Sequence, residues 1–286
     1  MCRKRALAAT AQMPPLMLAA AVLLTAGPAL AWGSKAAPTA SPVSIAPAKA
    51  QSAAQSATAP KTPAPATPDA KPKASPEVRA QAERLDPLSR AAFWASQVDA
   101  DPKDAEAGVK LANALRAIGR FQEAYAAAQS VLVIQPNNVE GLLETARAAI
   151  AGGEGFYAIE PARKAMLIAP KDWRAASLLA VALEQSVRPA EALEAHRTAL
   201  QLAPDNPAVL SNAAMFYAAQ GDKAQAEVFL RKAVALPGAT LQVRQNLALV
   251  LGLQGKLVEA EQIERQDLPP QMAQANLDYL RAASAR

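Results

Sequence analysis

One fixed interval, recurring along most of its length, constrains this chain more than any single residue does. Pro102, Pro136, Pro170 and Pro204 stand 34 apart, and so do Ala124, Ala158, Ala192, Ala226 and Ala260. Gly119, Gly153, Gly221 and Gly255 keep the same spacing, and the third copy departs from it with Val187 in the glycine slot. An internal period of this size describes one supersecondary unit copied in tandem. Such a unit cannot bury its apolar face alone and does so by stacking on its neighbours.

Within one copy the apolar residues recur every three to four positions, which places Leu111 and Leu115 on one face of a first helix. Gly119 then supplies the left-handed backbone that ends a helix without steric cost. A second helix is predicted over Glu123 to Ile134, with Ala124, Ala128, Val131 and Leu132 inward, and Pro136 stops it. Inward alanines let paired helices approach closely. This helix–turn–helix unit resembles the tetratricopeptide repeat, which implies an all-α solenoid. The expected repeats run about 105–138, 139–172, 173–206, 207–240 and 241–270.

Two flanking helices are expected to cap the stack. Asp86-Pro87 reads as an N-cap followed by proline in the first turn, opening a helix whose Leu88, Ala92, Phe93, Trp94 and Val98 would cover the first repeat. At the other end Pro269-Pro270 precedes a closing helix from Gln271 to Ala283, with Met272, Leu277 and Tyr279 on its apolar side. Pro161 falls inside a second helix and is expected to kink or delay it.

The repeat domain is assigned to residues 77–286, behind two segments of different character. Arg3-Lys4-Arg5, the apolar run Leu16 to Leu24 and the small-residue site Ala29-Leu30-Ala31 form the three parts of a secretory signal over residues 1–31, with cleavage expected after Ala31. The rival reading is an uncleaved amino-terminal anchor; the run is shorter than the ~20 residues a spanning helix needs, and no transmembrane span is expected in the mature chain. Loss of the signal lowers the formal charge from +5 to +2, which removes most of the argument for nucleic-acid binding. It also removes Cys2, the only cysteine. Residues 32–76 are rich in alanine, proline, serine and threonine with little to bury, and read as a disordered linker.

No motif for chemistry emerges. With one histidine and one cysteine the chain offers no metal-ligand spacing, it has no phosphate-cradling loop, and no cofactor is expected. His196 falls in a second-helix slot held elsewhere by Ala128, Ala162 and Leu230, and reads as a packed structural residue. The remaining candidate is a surface that binds a protein partner. If the first helices line a concave side, their stripes bring together Val109, Asn113 and Arg116; Leu143, Arg147 and Ile150; Arg174 and Val181; Met215; and Leu249. The arginines lie in the first half, so a segment with an acidic end and an apolar stretch would suit the groove. Reversing Arg116, Arg147 and Arg174 to glutamate is expected to abolish capture while sparing the fold.

Ala203-Pro204-Asp205-Asn206-Pro207-Ala208-Val209-Leu210-Ser211-Asn212 and Val243-Arg244-Gln245-Asn246-Leu247-Ala248-Leu249-Val250, with Asp267-Leu268-Pro269-Pro270 before Ala275-Asn276-Leu277-Asp278-Tyr279-Leu280, resemble the TadD-type repeat proteins of Flp (tight-adherence) pilus assembly. The resemblance covers about residues 85–285. It implies a non-catalytic, exported scaffold, periplasmic and associated with the outer membrane, with partners among the pilus secretion machinery. Members are often lipoproteins, but after Leu24-Thr25-Ala26-Gly27 this chain has Pro28 where the lipid-attachment cysteine would stand. The residues alone leave open a scaffold of another envelope machine, such as cell-wall synthesis or cytochrome maturation, or a regulatory subunit of an envelope enzyme.

Overall fold

The structure, a computed structural model, describes residues 73–284. The expected signal and the linker up to residue 72 lie outside the described residues. Thirteen helices and no strand are found among the described residues. After α1 (Pro76–Ala82) and α2 (Pro87–Ala100) come five helix pairs. Their first helices are α3 (Ala105–Ala117), α5 (Val139–Ala151), α7 (Trp173–Gln185), α9 (Pro207–Ala219) and α11 (Leu241–Leu253). Their second helices are α4 (Phe121–Ile134), α6 (Gly155–Ile168), α8 (Pro189–Leu202), α10 (Lys223–Ala235) and α12 (Leu257–Asp267), and α13 (Pro270–Ser284) follows. In both sets the starting positions are separated by the period of the sequence.

Two recurrent caps enforce this register. Two positions after each periodic proline, Asp104, Asn138, Asp172 and Asn206 each accept a backbone N–H from the first turn of the helix they open. At the turn between paired helices a backbone bond closes a Schellman-type C-cap: Arg120 N–H to Leu115 O, Glu154 to Ala149, Arg188 to Leu183, Asp222 to Tyr217 and Lys256 to Leu251, all at 2.8–2.9 Å. Gly119, Gly153, Gly221 and Gly255 reach the required left-handed region at φ 78–90°. In the third repeat Val187 occupies it at φ 56°, the one non-glycine residue at positive φ among the described residues. The cap keeps its geometry although its usual residue is missing.

Alanine sets the packing. Ala124, Ala128, Ala158, Ala162, Ala192, Ala226, Ala233 and Ala260 are fully buried, with Leu143, Leu183, Leu230 and Leu251 filling the space between layers. Each first helix packs on the first helices before and after it, whereas the second helices make no comparable contact with one another. The first helices therefore lie on the inner, shorter arc of the stack, and their exposed residues face its concave side. One joint is wider than the others: among the repeat helices, the backbones of α8 and α9, and of α7 and α9, approach one another least for pairs of their kind, although Phe216 fills the gap and is 4% exposed. Bulk explains it, because His196 and Phe216 occupy slots held elsewhere by alanines such as Ala162 and Ala182, and their rings meet at 5.0 Å between centroids.

The ends differ from the sequence reading in register. On α2 the buried residues are Ala91, Trp94 and Gln97, while Leu88 is 65% exposed and Ala92 is also exposed, so the covering face is rotated from the expected one. On α13 Ala273, Leu277 and Leu280 are buried, whereas Met272 and Tyr279 point to solvent. Pro161 neither delays nor ends its helix: α6 begins and ends one full repeat period after α4. The donor that Pro161 lacks would have served the carbonyl of Tyr157, an exposed residue at which water can substitute.

The short α1 precedes the capping helix expected from Asp86-Pro87. Ser75 caps it, and Arg79 holds it to the stack, donating to Asp104 at 2.5 Å and Glu106 at 3.3 Å with its guanidinium carbon 5.5 Å from the Trp94 ring centre. Lys73 joins Asp104 at 2.8 Å. Burial raises the Asp104 pKa, but the bonds from Arg79, Lys73 and the Ala107 N–H outweigh it and hold this carboxyl at about 2.

Candidate functional site

The inner face divides into a charged half and a neutral half. In the first, Arg116 on α3 and Arg147 on α5 converge on Glu144, whose side chain is 4% exposed: Arg116 Nε lies 3.2 Å from Oε2, and Arg147 Nη1 lies 2.6 Å from Oε1. A carboxylate this far from water needs cationic partners, and each of its oxygens has one. Arg174 belongs to a separate cluster, donating to Asp172 at 2.7 Å and, with two nitrogens, to Glu140 at 3.1 and 2.7 Å. These bonds raise the Arg174 pKa and, led by the Arg174 contact, lower that of Asp172.

The three arginines therefore do not form one open cationic surface. Their partners sit 28 and 34 residues away in the neighbouring repeat, or one turn or less away along the chain. Substituting glutamate for all three would leave the buried Glu144 facing like charges, so the expected sparing of the fold is corrected: that variant attacks the first three repeats as well as the surface.

In the second half polar rungs cross between first helices. Asn212 Nδ2 donates to Ser177 Oγ at 3.0 Å, and Asn246 Nδ2 to Ser211 Oγ at 2.9 Å. Further on, the Gln245 amide, turned with its nitrogen toward Glu264, lies 3.1 Å from both carboxylate oxygens. Asn276 also donates to Glu264 at 2.9 Å. Burial nonetheless raises the Glu264 pKa, with Asp267 acting in the same direction.

Of the residues drawn from the sequence, Val109, Asn113, Ile150, Val181, Met215 and Leu249 are half-buried on first helices, as are Arg116, Arg147 and Arg174. Leu143 must be removed from the groove: it is fully buried with Leu142, Ala165 and Ala175, because its position on α5 turns into the layer between helices. His196 is buried as expected at 1% exposure, and it has a partner the sequence did not reveal, Glu184 Oε1 at 2.6 Å from its Nε2. Glu144 and Glu184 were both legible as carboxylates on first helices. Glu144 stands three residues before Arg147, a spacing that brings side chains together on a helix.

The described part of the chain is thus a tetratricopeptide-repeat solenoid, a class of fold generally used as a scaffold for protein–protein interaction. Comparison with known proteins agrees. The tetratricopeptide repeat family model matches residues 183–237. The crystal structure of a thermophilic repeat protein from Thermus thermophilus covers 63% of this chain and 97% of its own, at 24% identity and a TM-score of 0.54. A tetratricopeptide repeat protein from Parabacteroides merdae covers 72% of this chain and 85% of its own, at 14% identity and a TM-score of 0.55. At these identities the likeness is one of fold. No curated protein matches the sequence. Among the described residues no helix is long and apolar enough to cross a membrane.

Proposed function

We propose that this chain is an exported, periplasmic scaffold that holds a protein partner on its concave face and supports assembly of a Flp-type pilus. The observation that carries the scaffold reading is the continuous inner face, where five first helices packed side by side leave Asn113, Val181, Met215 and Leu249 half-exposed in one row. The tripartite signal supports export, and the blocks around Asn206 to Asn212 and Val243 to Val250 support the pilus system. The described residues carry 22 basic and 24 acidic side chains, so the high isoelectric point of the whole chain does not come from the repeats. A scaffold for proteins suits that balance better than one for nucleic acid.

The test is a gene deletion scored by counting surface pili, with complementation by the natural protein and by M215E/L249E, which charges the groove at half-exposed positions. Loss of pili on deletion, restored by the first and not by the second, is the expected result. Normal piliation without the gene would reject the pilus role, and full rescue by the charged variant would reject the groove. Amino-terminal sequencing of the periplasmic fraction should begin at Trp32, whereas an intact Met1 in the cytosol would reject the location.

A further inference from the structure

We propose that the outer face of α6 is a dimerisation surface, on which two copies of this chain pair their α6 helices antiparallel about a two-fold axis. The groove is built from the first helices on the other side of the stack, so this inference does not depend on what the groove holds. Phe156, Glu160, Arg163 and Leu167 stand four, three and four residues apart, which sets them in one stripe along α6. All four are exposed, the apolar ends at 71% and 83%. Tyr157, also exposed, widens one end with its ring 5.7 Å from that of Phe156. Among the second helices this pattern of large apolar ends and unlike charges between them belongs to α6 alone. At the same repeat positions α8 carries Ala190, Glu194, Arg197 and Gln201, and its two charges pair with each other at 2.7 Å.

The stripe is complementary to itself. Because its spacing reads the same in both directions, a second α6 laid antiparallel brings Phe156 against Leu167 of the other copy and Glu160 against its Lys164, each contact occurring twice by symmetry. Glu160 and Lys164 have no ion-pair partner among the described residues, so both charges are available. Arg163, 3.0 Å from Glu191 on α8, adds to the positive side that Glu160 of the other copy meets; Glu191 also takes Arg188 at 2.7 Å. A parallel pairing would instead set Glu160 on Glu160. Pro161 and Ala162 flank the symmetry centre, and neither projects a long side chain that would hold the helices apart. A lipid surface fits this face less well, since the unpaired Glu160 stands in the middle of the stripe. One helix pair is a contact below the ~1,200 Å² of a standard interface, so the dimer is reversible and dissociates in the micromolar range.

The experiment is sedimentation equilibrium of the purified full-length protein over about 1–200 µM, where a reversible monomer–dimer equilibrium is expected. E160K and K164E each set like charges across the axis twice and should weaken the dimer about tenfold, whereas E160K/K164E restores opposite charges and should recover it. F156S/L167S should leave a monomer with unchanged circular dichroism, because side chains this exposed support little packing within one copy. A protein that stays monomeric over the whole range, a dimer indifferent to the single reversals, or a double reversal no stronger than the single variants overturns the proposal. If the monomer binds vesicles of phosphatidylethanolamine and phosphatidylglycerol, and F156S/L167S does not, the face belongs to a lipid surface and the proposal also fails. None of these outcomes bears on the groove, which M215E/L249E tests separately.

Discussion

Val187 is a natural test of how far side-chain chemistry can depart from the repeat without breaking its geometry. A left-handed backbone costs an L-residue about 1–2 kcal/mol, and a β-branched side chain stands at the upper end. Val187 is 84% exposed, so little burial compensates. Val187→Gly removes the strain but gives back about 0.4–1 kcal/mol through the greater freedom of glycine in the unfolded chain. The net gain is about 0.5–1 kcal/mol, which in a domain of this size raises the melting temperature by roughly 1–4 °C. Val187→Asn should capture part of this, since asparagine tolerates the same region. Thermal unfolding by circular dichroism measures the gain, and hydrogen exchange should place it at the α7–α8 turn. A loss of stability in Val187→Gly would refute the argument, because it would mean that the side chain contributes more than its backbone costs.

Leu183→Ala, at a site 1% exposed in the central repeat, should cost about 2–5 kcal/mol in urea unfolding, and a loss below about 0.5 kcal/mol would contradict its burial. Asp104 has a depressed pKa, so its contribution is complete above pH 3.8 and lost as pH falls through about 2; acid should loosen α1 in that window, read by Trp94 fluorescence, and Asp104→Asn should abolish the transition. Glu264 has the opposite sign: its raised pKa makes the packing of α12 and α13 strongest below pH 4.5 and weaker as pH rises through the raised value, so Glu264→Gln should raise the melting temperature at pH 7 more than at pH 4. Equal effects at both pH values would show that its charge is not the cause.

The interior of the stack was readable because each inward alanine and each cap recurs at a fixed offset, so five weak local signals reinforce one another. Nothing repeats at the ends, and there the reading slipped. Ser75-Pro76 carries the same cap-and-proline sign as Asp86-Pro87 but opens a helix of only seven residues, too short for periodicity to reveal. On α2 Ala91, Trp94 and Gln97 turn inward and Leu88 turns out; Gln97 accepts from the Ala74 N–H and Trp94 donates to Glu83, pairings that hydrophobicity does not reveal. In the groove, residue types were visible but pairings were not. Arg116 meets Glu144 and Arg174 meets Glu140 only when one repeat is laid on the next, and the arginines that seem available in sequence are already engaged.

The His196–Phe216 wedge gives the solenoid an uneven mechanical character. Elements joined in series under load yield first where the backbones interlock least, and here that joint divides residues 105–206 from 207–270. Tension applied along the stack by a moving partner would therefore concentrate its strain between α7 and α9, spreading Val181 away from Met215 while the arrays on either side travel as stiff bodies. In force spectroscopy this corresponds to a first yield at one internal joint, ahead of any unravelling from the ends.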